Sequence, residues 1–200
     1  MTESERKQII ALIQREVIPA IGCTEPIAVA LCVAKATETL GAKPEKIKVL
    51  LSANILKNAM GVGIPGTGMI GLPIAVALGA LIGKSDYQLE VLKDSTPEAV
   101  EEGKKLIDEK RICISLKEDI TEKLYIEVTC EAGGEQATAI ISGGHTTFVY
   151  VAKGDEVLLN KQQTSGEEEE EEILELTLRK VYDFALTAPL DEIRFILETA

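Results

Sequence analysis

From Ala59 to Gly83 the chain carries no charged residue, yet Gly61, Gly63, Gly66, Gly68, Gly71, Gly79, Gly83, Pro65 and Pro73 break the stretch up. A membrane-spanning helix needs about 20 continuous apolar residues in helical conformation, with every backbone polar group paired inside the segment. The first half of this stretch is too interrupted for that. The pattern instead predicts a buried glycine-rich loop feeding a core helix near Pro73–Leu81. Two hundred residues with 46% hydrophobic content can bury such a segment in one domain, or in one domain with an appendage. Aromatics make up only 4% and Trp is absent, so the core must be built from Ile, Leu, Val and Ala.

Periodicity changes character along the chain. Helices are expected over Glu5–Val17, stopped by Pro19, and over Pro26–Leu40, closed by Gly41. Lys46–Ala53 alternates and is β-branched, which predicts a strand. A short helical or irregular piece spans Leu89–Lys93, and Thr96 caps a helix that opens on Pro97 and runs through Asp108. After Lys110 the period becomes two: Arg111–Leu116, Leu124–Glu131, Gln136–Ser142 and Thr146–Ala152 read as strands of an antiparallel meander. A polar link over Lys161–Gly166 precedes a helical section, Glu167–Ala200, divided at Pro189. Helices beside consecutive strands give an α+β class: helices packed against a mainly antiparallel sheet, with a glycine-rich central loop. The parts are a helical and glycine-rich region over about 1–110, strands over about 111–160 and C-terminal helices over about 167–200.

The net charge of −12 argues against nucleic-acid or anionic-membrane partners. Part of that charge is the run Glu167–Glu172, which reads as a solvated first turn of a helix or an acidic interaction tract. Cys23, Cys32, Cys113 and Cys130 form no CxxC pair, and the charged N-terminus has no secretory apolar core, so the thiols read as reduced and the protein as cytoplasmic. One histidine and four scattered cysteines make no metal site within this chain. Cys32, Cys113 and Cys130 read as core.

Cys23 stands apart. It precedes Thr24-Glu25-Pro26, where Thr24 is a good N-cap and Pro26 suits a first turn. The positive end of a helix stabilises a thiolate, so Cys23 is either a reactive sulfur or a small residue filling the corner beside Gly22. Gly61-x-Gly63-x-x-Gly66 and Gly66-x-Gly68-x-x-Gly71 match the dinucleotide fingerprint formally. The strand ends too early for the fingerprint, however, and Pro65 sits where a helix should open. Gly79–Ser85 has three residues between its glycines where a phosphate loop has four. Gly66-Thr67-Gly68 can offer backbone N–H groups to a carboxylate, or can simply pack under a helix. Lys57-Asn58, beyond the strand, can hold a carboxylate or move a proton, or Lys57 is a solvated surface group. His145, at a strand-to-strand turn, is either an acid–base group or a ring bonded to backbone.

Together, Gly22-Cys23-Thr24-Glu25-Pro26, Lys57-Asn58, Ile64-Pro65-Gly66-Thr67-Gly68-Met69, Gly71-Leu72-Pro73, Gly79-Ala80-Leu81, Leu89-Glu90-Val91-Leu92-Lys93-Asp94, Gly143-Gly144-His145-Thr146 and Ile193-Arg194-Phe195-Ile196-Leu197 resemble the L-cysteine desulfidase family. That family is related to the α-domain of iron–sulfur serine dehydratases. The resemblance implies cleavage of L-cysteine to sulfide, ammonia and pyruvate on a 4Fe–4S cluster, with Cys23 on the family cysteine assigned as the base for the Cα proton. Thr24, Glu25, Lys57, Asn58, Gly66, Thr67, Gly68 and His145 are then candidates for contacts to a small amino-acid substrate. Family members are about twice as long, with the cluster cysteines in the second half. The helical pattern over Leu190–Thr199 also ends without a cap. The chain therefore reads as the amino-terminal domain of a longer protein, holding no cluster ligands of its own, inactive alone and partnered by a carboxy-terminal half. Homo-oligomerisation stays open. L-serine dehydration and non-catalytic amino-acid binding are the rival functions.

Overall fold

The computed structural model describes residues 1–161 and 176–199, so the acidic run Glu167–Glu172 and the link after Lys161 lie outside the described residues. The chain divides into two compact units. The larger begins at Ala20 and takes in everything described through Lys161, and the smaller takes Met1–Pro19 with residues 176–199.

The smaller unit comprises α1 (Glu3–Glu16), α6 (Leu178–Thr187), α7 (Leu190–Ile193) and α8 (Phe195–Thr199). Thr2 and Glu5 form a capping box at the start of α1, satisfying two otherwise orphan N–H groups. Arg6 bridges to Glu192 at 3.0 Å and Lys180 to Glu5 at 3.0 Å. The Pro189 break falls where the sequence predicts it: Pro189 is the N-cap of α7.

In the larger unit, α2 (Thr24–Leu40) is followed by β1 (Lys46–Leu51), α3 (Ala53–Ala59), the hairpin of β2 (Gly63–Ile64) and β3 (Met69–Ile70), and α4 (Leu72–Leu81). A 3₁₀ segment, Ser85–Glu90, and α5 (Pro97–Asp108) come next. The remaining strands are β4 (Ile112–Leu116), β5 (Tyr125–Ala132), β6 (Glu135–Ser142), β7 (Phe148–Lys153) and β8 (Glu156–Asn160). The architecture is α+β, with a six-stranded sheet in the order β4-β1-β5-β6-β7-β8. All its pairings are antiparallel except β1 with β4.

That exception corrects the expected meander. Three helices intervene between β1 and β4, and such a crossover returns the chain parallel to β1, leaving β4 on the sheet edge rather than beside β5. Three further corrections follow. The strand expected over Lys46–Ala53 stops at Leu51, and a short helix, α3, carries Lys57 and Asn58. Glu156–Asn160 is an edge strand that the sequence reading missed. Cys113 is exposed rather than core, because Ile112 and Ile114 take the face shared with Ile47 and Val49 and so turn Cys113 to the other.

The core is organised around α2. Every residue from Ile27 to Ala34 is at most 1% exposed, so this helix is apolar all round. It packs on β5, β6 and β7, where Ala137 and Ala139 leave room for it, and on α4, which in turn packs on α5. The Cys32 thiol donates to the Ala139 carbonyl at 3.3 Å, and the Cys130 sulfur lies 3.6 Å from Thr37 Oγ1. Both are the packing residues the sequence suggests. Gly79 permits the close approach of α4: a Cβ there would stand 2.6 Å from the Ala30 oxygen. Among the described residues, no helix is long and apolar enough to cross a membrane. The uncharged stretch does feed a core helix, α4, but its glycine-rich part is an exposed hairpin rather than a buried loop: Gly63, Pro65, Gly66, Gly68 and Ile70 are all exposed.

Candidate functional site at the start of the buried helix

The direction of α2 sets the location of the site. Cys32 touches the sheet at Ile126 and Ala139, and Thr37 touches it at Cys130, so α2 runs with β5 and against β1. Its N-terminus therefore lies at the sheet end where β1 finishes and β5 begins. Ser52 ties that end together: its N–H donates to the Tyr125 carbonyl at 3.0 Å and its hydroxyl to the Lys123 carbonyl at 2.8 Å. The loop between β6 and β7, with His145, returns to the same end, where Gly143 N–H donates to the Leu124 carbonyl at 3.2 Å. Cys23, Asn58 and His145 thus share one end of the sheet, outside the carboxyl end of β1 where α/β proteins commonly place ligands.

The local chain geometry is specific. Gly22 has φ +87°, and a Cβ there would stand 2.8 Å from Pro65 Cγ, so the residue must be glycine for the β2–β3 hairpin to lie against the start of α2. Ile21 N–H donates to the Leu89 carbonyl at 3.1 Å. The hairpin tip is close to the next segment as well, since a Cβ on Gly66 would lie 4.0 Å from Ser95 Cβ. Cys23, and not Thr24, is the N-cap of α2; its backbone is extended and its side chain caps no N–H. Thr24 and Glu25 are the first two helical residues.

The Cys23 thiol instead donates to Glu25 Oε2 at 2.9 Å. The Thr24 hydroxyl reaches the same oxygen at 3.3 Å, and Asn58 Nδ2 donates to Oε1 at 3.3 Å. Burial first, and then the adjacent carboxylate, push the thiol above its ordinary value. The Glu25 carboxyl is held below its usual range, chiefly by the Cys23 hydrogen bond, with smaller help from Asn58 and Thr24. Both shifts favour a neutral thiol donating to a carboxylate anion over the thiolate that the helix end alone would stabilise.

The other candidates separate into groups. Thr67 Oγ1 donates to the Ile64 carbonyl at 2.7 Å and accepts from Met69 N–H at 3.0 Å, so its hydroxyl closes the hairpin tip. Gly66 and Gly68 have φ +78° and +65°, and among the described residues their N–H groups donate to no backbone carbonyl. Lys57 is exposed on α3 and His145 is half-buried; among the described residues neither side chain makes a hydrogen bond or ion pair, and neither is joined to Cys23 or Glu25. The pairing of Glu25 with Asn58 is the feature hardest to foresee, because it depends on a short helix between the strand and the glycine-rich segment that the sequence leaves unassigned.

Cys32 and Cys130 are locked in the core, and Cys113 lies out on β4. No three Cys, His, Asp or Glu side chains converge as a metal site among the described residues. The described residues of this chain therefore supply no ligand set for an iron–sulfur cluster by themselves.

The chain is 99% identical over 200 residues to a UPF0597 protein of Bacteroides fragilis, 81% identical over 200 residues to one of Bacteroides thetaiotaomicron and 49% identical over 206 residues to one of Porphyromonas gingivalis. Each match takes in all of this chain but only 47%, 47% and 48% of the relative, so the chain spans about half the length of the curated relatives it matches. No family model matches the chain, and no solved structure matches it.

Proposed function

We propose that this chain is the amino-terminal part of a lyase that eliminates sulfide from L-cysteine to give pyruvate and ammonia, and that it supplies the proton-transfer side of the site. The observation that carries this reading is the hydrogen-bonded set Cys23–Glu25–Asn58 at the start of α2, beside a hairpin whose Gly66 and Gly68 N–H groups donate to no backbone carbonyl among the described residues. The Gly66 and Gly68 amides suit the substrate carboxylate. Passing the thiol proton to Glu25 leaves Cys23 Sγ as the base for the Cα proton. The electron pair released at Cα forms the Cα–Cβ double bond, and the Cβ–S bond breaks with its pair on the departing sulfide. Aminoacrylate remains and hydrolyses to pyruvate and ammonia. The 4Fe–4S cluster that the family resemblance implies would supply Lewis acidity toward the leaving group, from residues outside this chain.

The neutral resting thiol favours a second reading, a non-catalytic amino-acid-binding domain in which the Glu25 anion receives the ammonium group. One experiment separates the readings. The full-length relative of Bacteroides fragilis, reconstituted with iron and sulfide without oxygen, is given L-cysteine or L-serine beside its Cys23→Ala variant. Sulfide from L-cysteine that disappears in the variant supports the proposal. Pyruvate from L-serine alone moves the protein to a dehydratase. Binding of an amino acid without any product from the loaded protein establishes the binding domain instead.

A further inference from the structure

Among the described residues β4 is an edge strand of the six-stranded sheet, paired with β1 on one side and with no strand on the other. Its neighbour β1 receives only half of its backbone groups: Ile47 N–H donates to the Arg111 carbonyl at 2.9 Å, and Lys117 N–H donates to the Leu51 carbonyl at 2.8 Å. In a parallel ladder, successive residues of one strand turn alternately toward and away from their neighbour. Arg111, Cys113, Ser115 and Lys117 therefore face β1, while the N–H and carbonyl groups of Ile112, Ile114 and Leu116 face the open edge. Soluble proteins ordinarily blunt such an edge with a charge, a proline or a bulge, and Ile112-Cys113-Ile114-Ser115-Leu116 has none.

The same edge borders an apolar groove of about 440 Å³ lined by Leu56, Met60, Pro73, Ile107, Ile112 and Ile114. α4 reaches β4 here but leaves the groove open, and Met60 at its wall is 49% exposed. Leu56 belongs to α3 and Met60 directly follows that helix, so α3 forms one wall of the groove.

We infer that β4 and this groove are the docking surface for an extended segment of the half of the longer relatives that this chain does not contain, which adds to the sheet beside β4. A second copy of the chain fits poorly. Antiparallel self-pairing about Ile114 sets Arg111 of one copy opposite Lys117 of the other, twice per dimer, and like charges directly opposite each other are unfavourable. Each copy also carries a net charge of −12. The relatives, by contrast, hold more than half of their length outside the matched region, enough chain to supply a strand. The inference rests on edge geometry and on the relatives' length, and does not depend on the lyase chemistry.

Hydrogen exchange compares the two proteins as they exist. In the 200-residue chain the amides of Ile112, Ile114 and Leu116 exchange at least tenfold faster than the matching amides in the full-length Bacteroides fragilis relative, while β6 amides exchange alike in both. Ile114→Pro removes an outward N–H and no bond to β1, so it leaves the circular dichroism of the 200-residue chain unchanged and lowers the melting temperature of the longer relative. If that proline unfolds the short chain, Met60→Lys at the exposed groove wall serves in its place. Equal exchange of the three amides in both proteins overturns the inference. So does protection in the short chain that vanishes on dilution, which would assign the edge to a second copy. Neither result bears on whether the longer protein makes sulfide.

Discussion

Replacing Gly79 with alanine places a methyl group where α4 crosses α2. The new Cβ would stand 2.6 Å from the Ala30 carbonyl oxygen and 3.1 Å from both Ala30 Cα and Val33 Cβ. Comfortable contact begins near 3.5 Å, so the helices must part by about 1 Å. Neither has room to do so. α2 rests on β5 and β6, and α4 is backed by α5, where a Cβ on Gly103 would already meet Ile74 Cδ1 at 3.0 Å and Ala77 Cβ at 3.3 Å. Overpacking of this kind costs about 1–3 kcal/mol, and the clamp on both sides puts Gly79 at or above the upper end. Alanine returns about 1 kcal/mol through its better helix propensity. The net loss is about 2 kcal/mol, or about 4–8 °C in melting temperature for a chain of this size. Urea and thermal melts followed by circular dichroism read it directly. Gly61→Ala is the matched control: nothing lies within 4 Å of its Cβ and its backbone is not left-handed, so it should stay within about 0.5 kcal/mol of the parent. A Gly79→Ala protein as stable as the control would refute the claim that direct α2–α4 contact limits the core.

Three other perturbations test the site and its support. Gly22→Ala combines a φ of +87° with a 2.8 Å clash against Pro65, so it should shift the β2–β3 hairpin; exchange at Ile21 N–H, bonded to Leu89, should quicken while β5 and β6 stay protected. Burial pushes the Cys130 thiol up to about 11, above its unfolded value of about 9. Its stabilising contribution is therefore intact below pH 9 and lost as pH rises through 11; urea melts at pH 8 and 10.5 should show a fall that Cys130→Ala makes shallower, with fully buried Cys32 accounting for part of the rest. Glu25→Gln should lower the Cys23 thiol pKa, raising iodoacetamide alkylation at pH 8 by about threefold or more in a Cys113→Ser background; an unchanged or slower rate would show that the pair is not coupled.

The legible parts of the fold are those where one local signal decides. The Thr96 cap with Pro97 at the first helical position places α5 to the residue, and Gly41, left-handed at φ +77°, ends α2 where the periodicity stops. Alternation identifies β5 and β6 because each has one face on α2 and one toward solvent. The failures come from partners distant in sequence. β4 reads like any meander strand, and only the crossover through three helices makes it parallel to β1. β8 reads Glu-Val-Leu-Leu-Asn, with Val157 and Leu158 both more than half exposed, so its alternation is lost and pairing with β7 alone makes it a strand. At the site, Cys23, Thr24 and Glu25 stand out as the start of a helix. Asn58, which completes the hydrogen bonding of Glu25, sits on a seven-residue helix too short to show a period.

The protonation state of Cys23 follows from a competition that a single-residue argument leaves out. A helix N-terminus presents roughly half a positive charge, enough to favour one nearby anion. Two candidates meet there, a thiol that burial and the adjacent carboxylate push above its ordinary value and a carboxyl that the thiol's hydrogen bond holds below its own. The carboxyl takes the negative charge, and the thiol becomes its donor across 2.9 Å. Asn58 and Thr24 then stabilise the anion on Glu25 rather than on sulfur. The helix end that would otherwise make Cys23 a thiolate is in this way already satisfied by its neighbour two residues on. Deprotonation of Cys23 needs that neighbour to be neutralised, either by the proton it receives from the thiol or by the ammonium group of a bound amino acid. In the proposed lyase the second route ties the appearance of the base to the arrival of the substrate, and Glu25→Gln removes that link because no carboxylate remains beside the thiol to meet the ammonium group.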